Sequence, residues 1–124
     1  MSFTNIIYVA LGAAVGGVLR YLTSFFISSP TGGFPWATFV VNVVGSFIIG
    51  LILFFYSERS PNESMRLLLG VGFCGGLTTF STFSAETIQL LQMHREIVAF
   101  AYIGASLICS LAATYAGFVL IRQL

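Results

Sequence analysis

Four stretches of about 20 or more mostly apolar residues, near 3–27, 36–56, 64–93 and 97–122, fill almost the whole 124-residue chain. A bilayer core of roughly 30 Å is crossed by about 20 helical residues, so each stretch is long enough to span. The links between them are short and hold all three prolines, Pro30, Pro35 and Pro61, where helix breakers belong. Lipid-exposed backbone must satisfy its own hydrogen bonds, which favours helices for segments of this kind. The expected fold is an all-α integral membrane protein, with residues 1–124 forming one domain of four transmembrane helices.

The charge content leads to the same class. The chain has no Lys and no Asp, and only 7% of its residues are charged, against roughly 25% in a soluble domain. A surface so poor in charge suits the lipid bilayer as partner, and it offers no basic patch for nucleic acid. Cys74 and Cys109 lack CxxC spacing and sit in apolar context, which argues against a metal site or a disulfide framework. The N-terminal "MSFTNIIYVALG" lacks the basic segment of a secretory signal and is expected to stay as the first helix. The single His, His94, has no evident nucleophile or metal partner, so nothing points to an enzyme.

Four spans put both termini on one side of the membrane. That side carries Arg59, Arg66 and Arg122; the other carries Arg95, with Arg20 if it lies near its helix end. Three against two is a weak bias under the positive-inside rule. It suits a single orientation, or insertion both ways round as an antiparallel pair. Four short helices mostly pack on themselves, so a transport pathway calls for two or more subunits. The other possibility is a small structural subunit with no pathway of its own.

Polar residues recur four apart, on one helix face. Gly12, Gly16, Arg20 and Ser24 make one row; its G-x-x-x-G pair permits close helix approach, and Arg20 either snorkels or places positive potential at a vestibule. Thr38, Asn42, Ser46 and Gly50 make a second, with Thr38 in support of Asn42. The Asn42 amide requires either an interhelical hydrogen bond or a dehydrated anion to which its NH₂ donates. Tyr102, Ser106, Ser110 and Thr114 form a hydroxyl track.

The third stretch, as a continuous helix of about 30 residues, would measure roughly 45 Å, too long for the bilayer core without tilt or interruption. Its segment "GFCGGLTTFSTFS" (72–84) offers the interruption. Gly72, Gly75 and Gly76 weaken a helix, and with Thr78 they are expected to break it. The hydroxyls that follow, Thr79 and Ser81 among them, re-satisfy freed backbone and line a path. Broken helices at membrane depth are where ion sites are built. Phe80 and Phe83, three apart, share a face and can turn positive ring edges to an anion. Glu86, one turn later, is placed to orient neighbouring donors. A proton-coupled exporter, the main rival reading, requires a membrane-embedded carboxylate, and the first, second and fourth spans have none at their middles.

The motifs "GAAVGGVLRY" (12–21), "TFVVNVVGSFIIG" (38–50) and "GFCGGLTTFSTFSAE" (72–86) resemble those of the Fluc/CrcB family of fluoride channels, and the four-span pattern extends the likeness along the chain. The resemblance implies a passive fluoride-selective channel in the inner (plasma) membrane of a microbe, which lets fluoride leave the cell and so reduces its toxicity. It implies an antiparallel, dual-topology homodimer with two pores. The pore asparagine falls on Asn42, the aromatic pair on Phe80 and Phe83, and the polar track on Tyr102, Ser106 and Ser110. The vestibule arginine falls on Arg20 and the acidic position on Glu86. A structural sodium ion is implied at the dimer interface, held by the backbone carbonyls of Gly75 and Thr78 from each subunit.

Overall fold

A computed structural model describes residues 2–55 and 62–124. Helix α1 runs Phe3–Phe26 and α2 Trp36–Phe54; the third span, Glu63–Gln92, comes in pieces; and α6 runs Glu96–Gln123. These are four helices long and apolar enough to cross a membrane, as expected of a multi-pass membrane protein. Arg59, Pro61 and residue 56, the expected end of the second span, lie outside the described residues. The other ends have local causes. Ser2 caps α1, its hydroxyl accepting from the Asn5 N–H at 3.1 Å, a favourable N-cap arrangement. The link before α2 turns at Gly32, whose φ of +78° suits a residue without Cβ.

Two backbone-to-backbone seams hold the helices in place. On α1, Gly12 and Gly16 lie against Gly72 and Gly76 of the third span, so two G-x-x-x-G pairs interlock. A Cβ added at Gly16 would lie 2.7 Å from the Leu77 nitrogen, and one at Gly72 would lie 3.0 Å from the Gly12 Cα. On α2 and α6, Gly50 and Gly117 do the same: a Cβ at Gly117 would sit 3.0 Å from the Leu51 nitrogen. Such seams suit a lipid medium, where no hydrophobic force drives helices together and dispersion at close range must do so. Thr114, the last of its hydroxyl row, fastens the second seam by donating to the Ser46 carbonyl at 3.0 Å.

The third span is composite. It begins with one helical turn, α3 (Glu63–Arg66), and widens into a π-helical stretch, Leu67–Cys74. It closes as a short α4 (Gly75–Leu77), and restarts as α5 (Phe80–Gln92). The interruption therefore falls on Thr78 and Thr79, which are extended, with φ/ψ of −88/157° and −152/119°. Thr78 thus interrupts the helix as expected, while the share in the break expected of the glycines is corrected. Gly72, Gly75 and Gly76 are all helical; Gly72 and Gly76 serve the seam with α1, and Gly75 faces open space. Threonines can end a helix because their hydroxyls offer the backbone alternative hydrogen bonds.

Beyond the break, α5 packs beside α6 around a compact cluster of Phe83, Leu90, Ala99 and Tyr102, with Phe34 and Phe39 packed on it. Tyr102 is fully buried, its ring centroid 5.3 Å from Phe34 and 5.0 Å from Phe83. That cluster fixes where the start of α5 stands relative to α6.

Candidate functional site

Ending a helix inside a membrane leaves N–H and C=O groups without intrahelical partners, and no water is at hand to take them. The local sequence supplies them. The Thr78 hydroxyl bonds back to the Cys74 carbonyl at 2.8 Å, which also accepts the Thr78 N–H at 3.0 Å. Thr79 caps α5: its hydroxyl accepts from the Thr82 N–H at 3.1 Å and donates to Thr82 Oγ1 at 3.2 Å.

Asn42, from α2, closes the gap between the two half-helices. Its Oδ1 accepts from the Thr79 N–H at 2.8 Å, and its Nδ2 donates to the Thr79 carbonyl at 3.2 Å. The donor N–H of Thr79 can meet only the amide oxygen, so the side chain is oriented by the pair itself and one Nδ2 hydrogen remains for another acceptor. Of the two roles open to Asn42, the interhelical bond is present, and the geometry leaves room for the second. Gly45, one turn on, brings α2 to the break: a Cβ there would crowd the Thr78 methyl and lie 3.6 Å from Leu77 Cδ2. Arg20 reaches the break from α1, where its Nε donates to the Gly76 carbonyl at 3.0 Å.

Two hollows adjoin this junction. One, of about 410 Å³, is an open groove between α2, the third span and α6. Asn42, Thr78, Thr79, Phe80, Phe83, Ser106 and Ser110 line it, with Gly75 at its edge. The other, of about 230 Å³, is lined by Arg20, Ser24, Thr38, Thr79 and Thr82. Thr79 belongs to both, so the break is the wall between a cationic hollow and an aromatic, hydroxyl-lined groove. Among the described residues, Ser106 Oγ is buried and has no hydrogen-bond partner.

The expected site residues thus divide. Asn42, Thr79, Phe80, Phe83, Ser106 and Ser110 come together in the groove. Phe80 is 73% exposed while Phe83 is buried, their centroids 5.4 Å apart at 52°. Arg20 and Thr38 line the second hollow. Tyr102 lies behind the groove rather than in its wall: it packs on Phe83 and donates its hydroxyl to Glu86 Oε1 at 2.8 Å. Glu86 therefore orients a donor one layer back, and Thr38 is buried. Ser81 is exposed and lines neither hollow, its oxygen 3.2 Å from Thr79 Oγ1. Sequence reasoning counted Thr82 among the hydroxyls that re-satisfy the freed backbone, without singling it out, and gave no site role to Gly45. The T-x-x-T spacing of 79 and 82, an N-cap pattern, and the G-x-x-x-x-G spacing of 45 and 50 were the available signals.

No three of His, Cys, Asp and Glu cluster among the described residues; the oxygens at this junction are those of backbone carbonyls, the Asn42 amide and threonine hydroxyls. The arrangement offers a guanidinium in one hollow and amide, hydroxyl and aromatic groups in the other, with no acidic side chain in the lining of either.

Comparison with known proteins agrees with that chemistry. Residues 7–118 match the family described as CrcB-like protein, Camphor Resistance (CrcB). The fluoride-specific ion channel FluC of Flavobacterium psychrophilum is 45% identical over 123 residues, covering 97% of this chain and 98% of that one. FluC 2 of Rhodococcus jostii is 46% identical over 114 residues, covering 92% and 96%. The Hahella chejuensis FluC is 44% identical over 124 residues, covering 98% of each.

Proposed function

The chain belongs to the CrcB family, matched over residues 7–118, and on that premise we propose that it is a fluoride-specific ion channel of the cell membrane, a passive conductor and not an enzyme. The observation that carries this reading is the groove in which Asn42, Phe80, Phe83, Ser106 and Ser110 converge, with the Ser106 hydroxyl buried and unpartnered. A buried polar atom without a partner is costly. Ser106 lines the groove, so a small rotation of its side chain would offer this hydroxyl to a transient acceptor such as a dehydrated anion.

The mechanism follows from how an anion is compensated when it loses water. Removing a small anion from water costs several kcal/mol even after the surroundings relax. Conduction requires compensation that is adequate but divided among weak sites, so the ion can leave. Arg20 raises the local anion concentration at the entrance hollow. The Thr82 and Thr79 hydroxyls and the free Nδ2 hydrogen of Asn42 take over at the break. Ring edges of Phe80 and Phe83, then the Ser106 and Ser110 hydroxyls, continue the path. Each is a donor or a positive edge, and none past Arg20 carries a full charge.

One protomer leaves this path half enclosed. The groove is open along one side and Phe80 stands largely exposed. An apolar face is stable against lipid, but a groove with amide and hydroxyl groups is not. A second copy, inverted in the membrane as the weak arginine bias allows, would cover it and form an antiparallel homodimer. A sodium ion at the shared face is the remaining proposal. Its ligands would be the carbonyls of Gly75 and Thr78 from each subunit, and the residues fit that use. Gly75 faces open space, and Thr79 sends its N–H to Asn42 instead of back to the Gly75 carbonyl. Thr78 is extended, so its carbonyl is outside a helix. Such an ion would supply electrostatic attraction between the subunits.

Fluoride efflux from liposomes that contain the purified protein tests the reading. The expected result is flux down the gradient with no proton requirement; a trace at the protein-free level overturns it. In the same assay Ser106→Ala should lower flux by about tenfold, the worth of one hydrogen bond to a charged partner. Its melting temperature should stay within a degree or two, since no fold contact uses that oxygen. Phe80→Ile and Phe83→Ile should each reduce flux by about tenfold or less, from loss of an aromatic edge.

A further inference from the structure

We propose that Arg20 is a positioning residue for the helix break, acting as the cap of the Gly76 carbonyl, in addition to any effect of its charge on entering ions. This rests on the channel reading for its functional consequence but not for its geometry.

With Thr78 and Thr79 extended, the Phe80 N–H is carried away from where it would close a helical turn on Gly76. The Gly76 carbonyl is left at the end of a half-helix, within the membrane, on the side packed against α1. The seam that partly buries it also brings its replacement donor. Gly16 lies against Gly76, and Arg20 is one turn further along α1, which places its Nε 3.0 Å from the Gly76 oxygen. The donor is cationic and stands at a helix C-terminus, where positive charge is favoured.

Guanidinium chemistry suits the position in a second way. Arginine has five N–H donors in a rigid fork; Nε is committed to Gly76, and the two Nη groups remain for the hollow shared with Thr79 and Thr82. One side chain therefore fixes the backbone two residues before the break and faces the entrance beside it. A residue that served the entrance by charge alone would need no Nε bond, and its neutral replacements would all behave alike.

Arg20→Gln and Arg20→Met separate the two roles, because both are neutral and of similar reach while only glutamine can donate to the Gly76 carbonyl. In fluoride efflux from liposomes, Arg20→Gln is expected to keep at least about tenfold more flux than Arg20→Met, the scale set by leaving a buried acceptor unpaired. Backbone hydrogen exchange across residues 75–82, followed by mass spectrometry, should be faster than wild type in Arg20→Met and near wild type in Arg20→Gln. Failure of Arg20→Met alone to yield folded protein also supports the cap. Equal behaviour of the two variants, whether both active, both impaired or both unfolded, overturns it. If wild type itself passes no fluoride, the channel reading fails and the exchange comparison alone decides the cap.

Discussion

Replacing Asn42 with leucine is expected to reduce fluoride efflux from liposomes by a hundredfold or more, the largest loss among the single-residue changes along the path. Asn42 holds both backbone groups of Thr79, the N–H at 2.8 Å and the carbonyl at 3.2 Å. Leucine is close in size and supplies neither partner. Each buried polar group left unpaired costs about 1–3 kcal/mol, so about 2–6 kcal/mol is at stake between break geometry and ion passage. Every 1.4 kcal/mol or so placed on the barrier is tenfold in rate. Asn42→Asp gives the informative contrast. Its carboxylate can still accept from the Thr79 N–H, but it cannot donate and it repels an anion. Flux should therefore be lost in Asn42→Asp while the protein stays monodisperse in detergent, whereas Asn42→Leu should show reduced thermal stability as well. Near wild-type efflux in Asn42→Leu would show that the amide has no part in the path.

The second large effect is on folding and pits neighbouring glycines against each other. Gly16→Leu should abolish recovery of folded protein, because any Cβ there falls 2.7 Å from the Leu77 nitrogen and 3.1 Å from the Gly76 carbonyl carbon. Backbone cannot move aside as a flexible side chain can, so α1 would have to leave the third span. Overpacking a close seam costs typically 1–3 kcal/mol or more, and here it strikes the contact that carries Arg20 to the break. Gly17→Leu should do the opposite. No atom lies within 4 Å of a Cβ at Gly17, and leucine is the better helix former by roughly 1 kcal/mol. Yield and melting temperature of the detergent-purified protein report both. Similar yields for the two variants would mean that the α1 seam is not what holds the third span.

That pair also explains how much of the molecule was legible beforehand. The four spans followed from the length and continuity of apolar segments, a signal that needs no tertiary information. The break in the third span followed from its excess length and its hydroxyls, yet its position was attributed to the glycines as much as to Thr78. Glycine has two uses, freedom of the chain and close approach of another backbone, and only the facing helix decides which applies. Gly72 and Gly76 are spaced by four, as are Gly12 and Gly16; read together, they announce a seam. In the site, Asn42, Ser106 and Ser110, each taken from a row of polar residues, line one groove. Tyr102 shares the row but not the groove wall, because Phe34 and Phe83 close over its ring. A periodicity of four gives a face; it does not say how far along that face the opening extends. Arg20's bond to a carbonyl 56 residues away has no trace in local sequence at all.

The glycine seam between α1 and the third span also has an entropic consequence. Side chains buried elsewhere lose rotamer freedom on packing, up to about 2 kcal/mol for the long ones; glycines have none to lose. Gly12, Gly16, Gly72 and Gly76 meet through backbone atoms alone, so the joint has no alternative rotamer in which to slip. Helix α1 and residues 67–77 should consequently move as one stiff strut. Thermal motion near the path is left to the far side of Thr78 and Thr79, where α5 and its exposed Phe80 ring remain free to adjust to a passing ion.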